Sequence, residues 1–388
     1  MYILILAAIA ITLIVIAICI AVDMIPPPVS KAQHVIDINP ATFQNINSLD
    51  STRIQNGPEI VNINTKNSLI PMGMYNLSVR KISTGYSGLI RGCTWNGCHN
   101  NNTYPVFSYP YHITLDNDGT VLTLDRINLN YSLLNKCDKS YRDIHANGIE
   151  DPKLFIYRDE EWCIGSCLGT EQQPHPCINS MCIFKITDPR NTFKVIIPPS
   201  WVGALQRQKN WSPFEWNGRL LCEYTIQPHV IIEIDPTTGK TQELCRSGTG
   251  PDNITQLSSM RGGAPPILIN LPSILETNST GPTGDQILKF NTTYDRVYIG
   301  IGHTHPSKIS GYVHFFYMFE PNPPFKIIGI SDIFKMDRIE TIQFAAGMSI
   351  QDDNVYISYG VNDCSNRISR YDLADVLISL ASKDQPFK

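Results

Sequence analysis

Two adjacent carboxylates, Glu150 and Asp151, stand directly before Pro152 and a run of alternating apolar residues. Proline lacks an amide hydrogen and disfavours the helical conformation in the residue before it. We therefore expect Asp151 to be extended at the start of a strand over residues 153–157. A carboxylate aimed by a rigid turn at the mouth of a strand can donate or accept a proton in a reaction. The alternative is a plain acidic turn that caps a hairpin.

Other polar side chains stand near the ends of predicted strands, where folding could bring them to Asp151. The second catalytic candidate is Glu223. The candidates for substrate binding are Glu150, Asn76, Arg91, Lys209, Asn210, Arg261, His303, His305 and Asp363. Each of them has a plainer interpretation as a turn, strand-face or surface residue. Their convergence at one place is what would indicate a site.

Two of these candidates also have the residue type of a metal ligand. His303 and His305 are two apart on a predicted strand end, so their side chains share a face. Paired histidines can bind a metal ion, but no third ligand is evident beside them. The sequence contains no G-x-S-x-G, P-loop, Rossmann or H-E-x-x-H motif. We predict no metal and no cofactor.

Short strands and tight turns must position these residues. Asn117-Asp118-Gly119 joins two alternating runs into a hairpin, and comparable strand pairs recur along the chain. Polar or small residues open these units near 151, 211, 264 and 347, at separations of about 50 to 85 residues, which is typical of a β-propeller. In a propeller the openings of the innermost strands meet at one face of the central channel. A β-sandwich is the alternative, and a short helix near 373–382 closes the chain.

Composition agrees with an all-β globular protein. The 388 residues include 27 prolines and 25 glycines, with 42% hydrophobic and 17% charged residues. The formal net charge is −4. A chain with this charge has no basic footprint for nucleic acid, so we predict no nucleic-acid partner.

The N-terminus differs from the rest of the chain. Residues 2–22 are apolar and uncharged, which is close to the ~20 residues needed to cross a membrane. No Lys or Arg precedes Lys31, unlike the basic start of a cleaved signal peptide. We predict a signal anchor at 1–22, a stem at 23–70 and a catalytic propeller at 71–388. A cleaved signal peptide is the alternative.

Cysteines and glycosylation sequons indicate the compartment. Of eleven cysteines, all but Cys19 lie outside the anchor, an even number that suits up to five disulfides. We expect Cys163, Cys167, Cys177 and Cys182 to pair among themselves or with near neighbours. Zinc is the alternative, because these four have ligand-like spacing. The sequons are at Asn76, Asn101, Asn130, Asn210, Asn253, Asn278 and Asn291. Together these features predict a type II membrane protein with a luminal or extracellular catalytic part.

Several sequence elements resemble the motifs of one enzyme family. Gly148-Ile149-Glu150-Asp151-Pro152-Lys153 resembles the G-x-E-D-P-R motif of β-mannoside phosphorylases and their relatives, glycoside hydrolase family 130. The further similar elements are Asn76 with Arg91, Lys209-Asn210, Gly262 to Ile267, His303, and Tyr359-Gly360-Val361-Asn362-Asp363. The resemblance covers roughly residues 70–375.

The resemblance implies a fold and a chemistry. These enzymes and the related β-mannosyltransferases are five-bladed β-propellers, so we expect an all-β five-bladed propeller behind one N-terminal transmembrane helix. The E-D-P aspartate of the family is the acid of an inverting reaction, and phosphate attacks the sugar. Here Lys209 and Lys153 replace arginines, which weakens the cationic cradle that inorganic phosphate needs.

The resemblance therefore favours a carbohydrate-active enzyme, specifically a membrane-anchored glycosyltransferase for mannose or a similar sugar. Asp151 would be its general acid or base. The alternatives are a β-mannoside or furanoside hydrolase or phosphorylase, with Glu223 activating water, and a non-catalytic glycan-binding propeller. The expected partners are a glycan or sugar, a sugar phosphate or inorganic phosphate, and the membrane.

Overall fold

β-Branched and aromatic residues broken by Gly, Asn and Asp turns form short antiparallel strands along the chain. The structure is a computed structural model, and it describes residues 34–38, 73–93, 107–131, 147–168, 179–188, 190, 192–203, 206–248, 260–271, 294–305, 311–336 and 342–381. Within these residues the strands form five sheets, the blades of a five-bladed propeller, and all pairings are antiparallel except that of one two-residue strand, Asn147–Gly148, which pairs in parallel with the strand Phe107–Leu115. The predicted all-β propeller is confirmed.

The strands follow one another blade by blade. The first strand is β1 (His34–Ile38). Blade 1 contains β2 (Gly73–Ile82), β3 (Gly85–Cys93), β4 (Phe107–Leu115), β5 (Val121–Arg126) and β6 (Asn147–Gly148). Blade 2 contains β7 (Glu150–Tyr157), β8 (Glu160–Leu168), β9 (Asn179–Lys185) and β10 (Lys194–Val195). Blade 3 contains β11 (Ser212–Trp216), β12 (Arg219–Thr225), β13 (His229–Ile234) and β14 (Thr241–Ser247).

The remaining strands complete the ring. Blade 4 contains β15 (Arg261–Gly262), β16 (Ile267–Asn270), β17 (Arg296–Thr304), β18 (Val313–Phe319) and β19 (Ile327–Ile330). Blade 5 contains β20 (Gln343–Gln351), β21 (Asn354–Val361), β22 (Ser365–Asp372) and β1. β1 pairs with β22 from His34 opposite Arg370 to Ile38 opposite Asn366. An early strand thus completes the last blade: residues 34–38, within the segment predicted to be a stem at 23–70, pair with blade 5.

Two buried side chains connect the five blades near their innermost strands. Ser78 Oγ on β2 donates to the Ala346 carbonyl of blade 5 at 2.8 Å and accepts from the Leu154 amide of blade 2 at 2.9 Å. Lys153 Nζ on β7 donates to the carbonyl of Trp211, just before β11 of blade 3, at 3.1 Å and to that of Gly263, between β15 and β16 of blade 4, at 2.5 Å. These bonds satisfy backbone groups that the sheets leave unpaired.

Apolar side chains fill the spaces between neighbouring blades. Phe155, Trp211 and Ile232 belong to one cluster between blades 2 and 3, whereas Phe214, Tyr298 and others pack between blades 3 and 4. Each fully buried large side chain contributes about 1.5–3 kcal/mol of hydrophobic stabilisation.

A helix, α1 (Leu373–Ala381), closes the described chain within one residue of its predicted bounds. Asp372 Oδ1 caps it by accepting the Ala374 amide at 2.8 Å. Its face with Val376, Leu377 and Leu380 packs into the core beside blades 4 and 5. No helix among the described residues is long and apolar enough to cross a membrane. The predicted anchor at 1–22 lies outside the described residues and stays a prediction.

The cysteines do not form the expected disulfides. The free thiols are Cys93, Cys163, Cys167, Cys182, Cys222 and Cys245. Cys364 is disulfide-bonded, and Cys177 lies outside the described residues. Because Cys163, Cys167 and Cys182 are all free, the prediction that they pair among themselves or with near neighbours is wrong. In blade 2, Cys182 lies opposite Gly165, so Cys163 and Cys167 are its diagonal neighbours on one buried face, where the thiols contribute apolar packing.

Candidate active site

Irregularities in the inner strands aim polar side chains at the channel mouth. In blade 1, Tyr75 pairs with Arg91 but Ser78 pairs with Leu89, so β2 carries an extra residue there. In blade 2 the same shift occurs between Glu150 and Lys153. Such β-bulges bend a strand and redirect a side chain, and they are frequent beside active sites.

The first residue of each of these two bulges is left-handed. Asn76 has φ 58° and Asp151 has φ 51°, and Asn210 and Asp363 have φ 63° and 50°. Asn and Asp tolerate this conformation better than other residues with a side chain. Asp151 is therefore not extended as predicted, because the bulge overrides the preference that Pro152 imposes. Four candidate residues share a conformation that suits a functional site.

Asp151 lies at the centre of a set of charged and polar side chains. Asn76 Nδ2 donates to Asp151 Oδ1 at 2.7 Å, and Arg91 Nη1 donates to the same oxygen at 3.0 Å. No described group hydrogen-bonds the other oxygen, Oδ2, and the Asp151 side chain is 18% exposed. One oxygen is fixed by the protein while the other is open to a bound molecule.

Glu150 binds the two cations of the site. Its Oε1 lies 3.2 Å from Arg91 Nη2, and its Oε2 lies 3.0 Å from Lys209 Nζ. Arg91 is also fixed from behind, since its Nε donates to Ser108 Oγ at 2.8 Å and its guanidinium lies over the Tyr75 ring at 4.9 Å. Arg91 and Lys209 are thus positioned by carboxylates before any ligand arrives.

Asp363 completes this group, which we call the mouth cluster; its members are Asn76, Arg91, Glu150, Asp151, Lys209 and Asp363. The pKa of Asp363 is raised to about 6, chiefly by burial; the charge of Arg91 opposes this rise, those of Asp151 and Glu150 add to it, and that of Lys209 opposes it. With all acids ionised the cluster holds three negative and two positive charges. Its net charge is then −1.

A second wall of the site comes from blades 3 and 4. Asn210 Nδ2 lies 3.5 Å from His303 Nε2, and Tyr312 contacts the rings of both His303 and His305. Burial lowers the pKa of His303 well below its ordinary value, and nearby His314, Lys153 and Arg261 lower it further. His303 is therefore a neutral imidazole, suited to a hydrogen bond with a hydroxyl group.

His305 and Arg261 differ from His303 in exposure. Both are exposed, and Arg261 lies directly opposite His303 across β15 and β17. The structure therefore brings the mouth cluster, Asn210 and His303 together, with His305 and Arg261 at the rim.

Glu223 has different surroundings. Its side chain is 1% exposed, His229 Nε2 lies 2.8 Å from its Oε1, and Tyr317 OH donates to its Oε2 at 2.6 Å. His229 Nδ1 donates to the Phe325 carbonyl at 2.7 Å. Both carboxylate oxygens are occupied by protein groups inside blades 3 and 4, which leaves no position for a water. The expected role of Glu223 as a general base does not fit this geometry.

Several residues that support the site could not be recognised in the sequence. Asn179, at the start of β9, donates from Nδ2 to Glu150 Oε2 at 3.4 Å and to Ser166 Oγ at 3.2 Å. Ser108 and Tyr75 hold Arg91 as described above. Nothing in their local sequence distinguishes them, although Tyr75 could have been found as the neighbour of Asn76.

Two sequons also lie within the site. The Asn76 side chain is 4% exposed and bound to Asp151, and Asn210 contacts His303. The Asn76 amide is therefore not accessible as a glycan acceptor in the folded protein. Among the described residues, no three or more His, Cys, Asp or Glu side chains are grouped to hold a metal ion.

Comparisons with known proteins support the fold. No protein-family model and no curated protein matches the chain. Among solved structures, a β-1,2-mannobiose phosphorylase from Listeria innocua, in complex with β-1,2-mannobiose, aligns with 80% of this chain and 92% of its own at 14% identity and a TM-score of 0.51.

Two further structures are less similar. A glycosyl hydrolase from Bacteroides ovatus aligns with 77% of this chain and 84% of its own at 15% identity and a TM-score of 0.46. A GDP-mannose-dependent mannosyltransferase from Leishmania mexicana aligns with 77% and 85% at 12% identity and a TM-score of 0.42. At such identities a likeness shows the fold alone. The resemblance predicted from Glu150-Asp151-Pro152 is confirmed at that level: the chain shares its five-bladed β-propeller with the Listeria phosphorylase.

Proposed function

We propose that the protein is a carbohydrate-active enzyme that processes mannose-like sugars with inversion, and that Asp151 is its general acid or base. The observation that carries this proposal is the asymmetry of the Asp151 carboxylate. Asn76 and Arg91 fix Oδ1, whereas Oδ2 has no partner among the described residues. A positioned carboxylate with one open oxygen can exchange a proton with a glycosidic or hydroxyl oxygen.

The polar groups around Asp151 suit a neutral, hydroxyl-rich ligand. Asn76, Asn210 and the neutral His303 offer hydrogen bonds without adding net charge. The resemblance to β-mannoside enzymes in the E-D-P and Y-G-x-x-D elements supports mannose as the sugar.

The charge of the mouth cluster bears on the attacking group. Glu150 is paired with both Arg91 and Lys209, and the net charge is −1 when Asp363 is ionised. An inorganic phosphate attacking next to Asp151 would therefore meet cations that carboxylates already neutralise. A neutral attacking group, such as a sugar hydroxyl, fits better. We accordingly favour glycosyl transfer from a nucleotide-activated mannose to a sugar acceptor: the acceptor oxygen bonds to the anomeric carbon, the nucleoside diphosphate departs with the electrons of the broken bond, and Asp151 takes the hydroxyl proton.

Hydrolysis is the second candidate, and Asp363 favours it. The charge of Asp151 acts on Asp363, so two carboxylates lie near one another at the mouth. Inverting glycosidases use such a pair, one as acid and the other as the base for water.

We further propose that the N-terminal apolar segment anchors the enzyme in a membrane of the secretory pathway, which suits an enzyme that builds glycans.

The proposed function can be tested with purified full-length protein. We would incubate it with GDP-mannose and a mannooligosaccharide acceptor, with the oligosaccharide and inorganic phosphate, and with the oligosaccharide alone, and separate the products by chromatography. Transfer predicts a lengthened oligosaccharide only in the first mixture. Mannose in the third mixture would indicate hydrolysis, and mannose 1-phosphate in the second would indicate phosphorolysis. Absence of product in all three, with saturable oligosaccharide binding, would leave a non-catalytic glycan-binding propeller.

A further inference from the structure

The segment between blades 2 and 3, which leads to Lys209 and Asn210, exposes a tryptophan. Trp201 is 45% exposed, more than the other three tryptophans among the described residues, and it leaves much of an indole in water. Its edge-to-face contact with Tyr224, at 5.0 Å between ring centroids, joins it to the buried Trp211, which contacts Tyr224 at 5.2 Å. The exposed ring therefore rests on the core.

One face of the Trp201 ring is covered by a cation that the protein holds in place. The Arg246 guanidinium lies 5.0 Å from the ring centroid. Glu243 fixes that guanidinium with two bonds, Nε to Oε1 at 3.1 Å and Nη2 to Oε2 at 2.8 Å. Contacts from Tyr224 and Arg246 restrict the ring on two sides, so the exposed surface is presented in a fixed orientation.

A short chain of contacts connects this ring to the mouth cluster. Tyr224 contacts both Trp201 and Trp211, and Trp211 directly follows Lys209-Asn210. On the other side of Lys209, the Gln208 amide donates to the Asn179 carbonyl at 2.8 Å. Asn179 in turn binds Glu150, and the residue after Gln208 is Lys209. Trp201 thus lies beside the segment that carries one wall of the site.

We infer that Trp201, with Arg246 and Glu243 at its edge, binds one pyranose ring of an oligosaccharide whose end occupies the mouth cluster. A pyranose has an apolar C–H face that packs on an indole, and its hydroxyl groups can bond to the guanidinium and carboxylate at the rim. A preorganised ring binds at lower entropic cost than a mobile one. This inference rests on the proposed function, because it takes the occupant of the mouth to be a sugar.

The test compares a short and a long ligand. Affinities of β-linked mannobiose and mannohexaose would be measured by calorimetry for the full chain and for Trp201→Ala. The matched control is Leu122→Ala, which removes an exposed apolar side chain (60% exposed) from β5 on blade 1. We expect Trp201→Ala to weaken mannohexaose binding about tenfold, to leave mannobiose binding unchanged, and to leave thermal unfolding within a few degrees of the parent. Arg246→Ala should weaken hexaose binding less.

The outcomes separate this inference from the proposed function. Equal loss for both ligands, or no loss for the hexaose, would overturn the inference even if the protein turns over mannosides. Length-dependent loss in a protein without turnover would support the platform and overturn catalysis instead. The same measurement on Asp151→Asn, in which turnover is removed, should retain the full dependence on Trp201.

Discussion

Two carboxylates in this propeller, Asp151 and Glu223, have opposite surroundings. In the mouth cluster, protein groups bind one oxygen of Asp151 and leave the other open. In the second cluster, formed by Glu223, His229 and Tyr317 and here called the interblade cluster, protein groups bind both carboxylate oxygens. The Asp151 side chain is 18% exposed and that of Glu223 is 1% exposed.

The difference shows what distinguishes a catalytic carboxylate from a structural one. A catalytic group needs an oxygen that a substrate can reach, and it therefore keeps an incomplete set of partners. A fully buried carboxylate is stable only with every oxygen satisfied, because an unpaired buried charge is very costly. We expect substitution of Asp151 to change the rate and substitutions in the interblade cluster to change the stability.

The largest effect should follow from Asp151→Asn. The amide preserves shape and hydrogen bonding at Oδ1 but cannot transfer a proton, so the turnover rate should fall roughly 10²- to 10⁴-fold. Because residue 151 is outside the apolar core, thermal unfolding should change by no more than a few degrees. Asp125→Asn, on the exposed outer strand of blade 1, is the matched control and should keep full activity. Near-full turnover by Asp151→Asn would remove Asp151 from the mechanism.

Glu223→Ala should act on stability. It leaves His229 and Tyr317 buried without their partner, so the free energy of unfolding should drop by about 3–5 kcal/mol in denaturant titrations. Tyr317→Phe removes a single hydrogen bond to the same carboxylate and should cost about 1–3 kcal/mol. If Tyr317→Phe and a folded Glu223→Gln variant were both as stable as the parent but inactive, the interblade cluster would be the catalytic one.

Lys153 interacts with both clusters. Its charge interacts with both Asp151 and Glu223, and burial lowers its pKa to about 8. Lys153→Met removes the bonds to the carbonyls of Trp211 and Gly263, so we expect a loss of about 2–4 kcal/mol at neutral pH. A depressed lysine pKa means that the unfolded chain binds more protons between pH 8 and 10.5, so the parent should gain stability over that range. Titrations at several pH values should show this gain in the parent and not in Lys153→Met.

The smallest effect should come from Asp363→Asn. Because the folded-state pKa of Asp363 is about 6 and its ordinary value is 3.8, the folded protein binds the extra proton, and the parent loses stability as pH rises through this range. Asp363→Asn should lack this loss and be more stable than the parent by about 1–3 kcal/mol above pH 6, with no difference near pH 4. Parallel pH dependence in the two proteins would place Asp363 away from the negative charges of the mouth.

The sequence predicts the mouth cluster better than the interblade cluster for a physical reason. Asp151 sits next to Pro152 in a specific motif, and the openings of inner strands must converge in a propeller. The bulges that aim Asn76 and Asp151 depend on the register of whole strands, so the left-handed conformation of Asp151 could not be predicted locally. Glu223 is engaged by Tyr317, 94 residues further along, and no local pattern reveals that contact.

Two other features could not be predicted from the sequence, because they also depend on how the strands pair. β1 is a weakly patterned strand in a polar segment, and it becomes recognisable only through its pairing with β22 at the other end of the chain. In the sequence, the spacing of the blade 2 cysteines suits disulfides or a zinc site. Their strand register places the thiols diagonally on a buried face, and they remain free.

The assignment of the active site to Asp151 is tested most directly by the crystal structure of Asp151→Asn bound to β-linked mannobiose. Removing the transferable proton should preserve the substrate in the site. If Asp151 is the general acid or base, the glycosidic oxygen, or a hydroxyl beside it, lies within about 3.5 Å of the residue 151 amide on the side of the former Oδ2. His303 and Asn210 then contact the sugar. A mannobiose bound elsewhere on the propeller, with the residue 151 side chain untouched, would contradict the assignment of the active site.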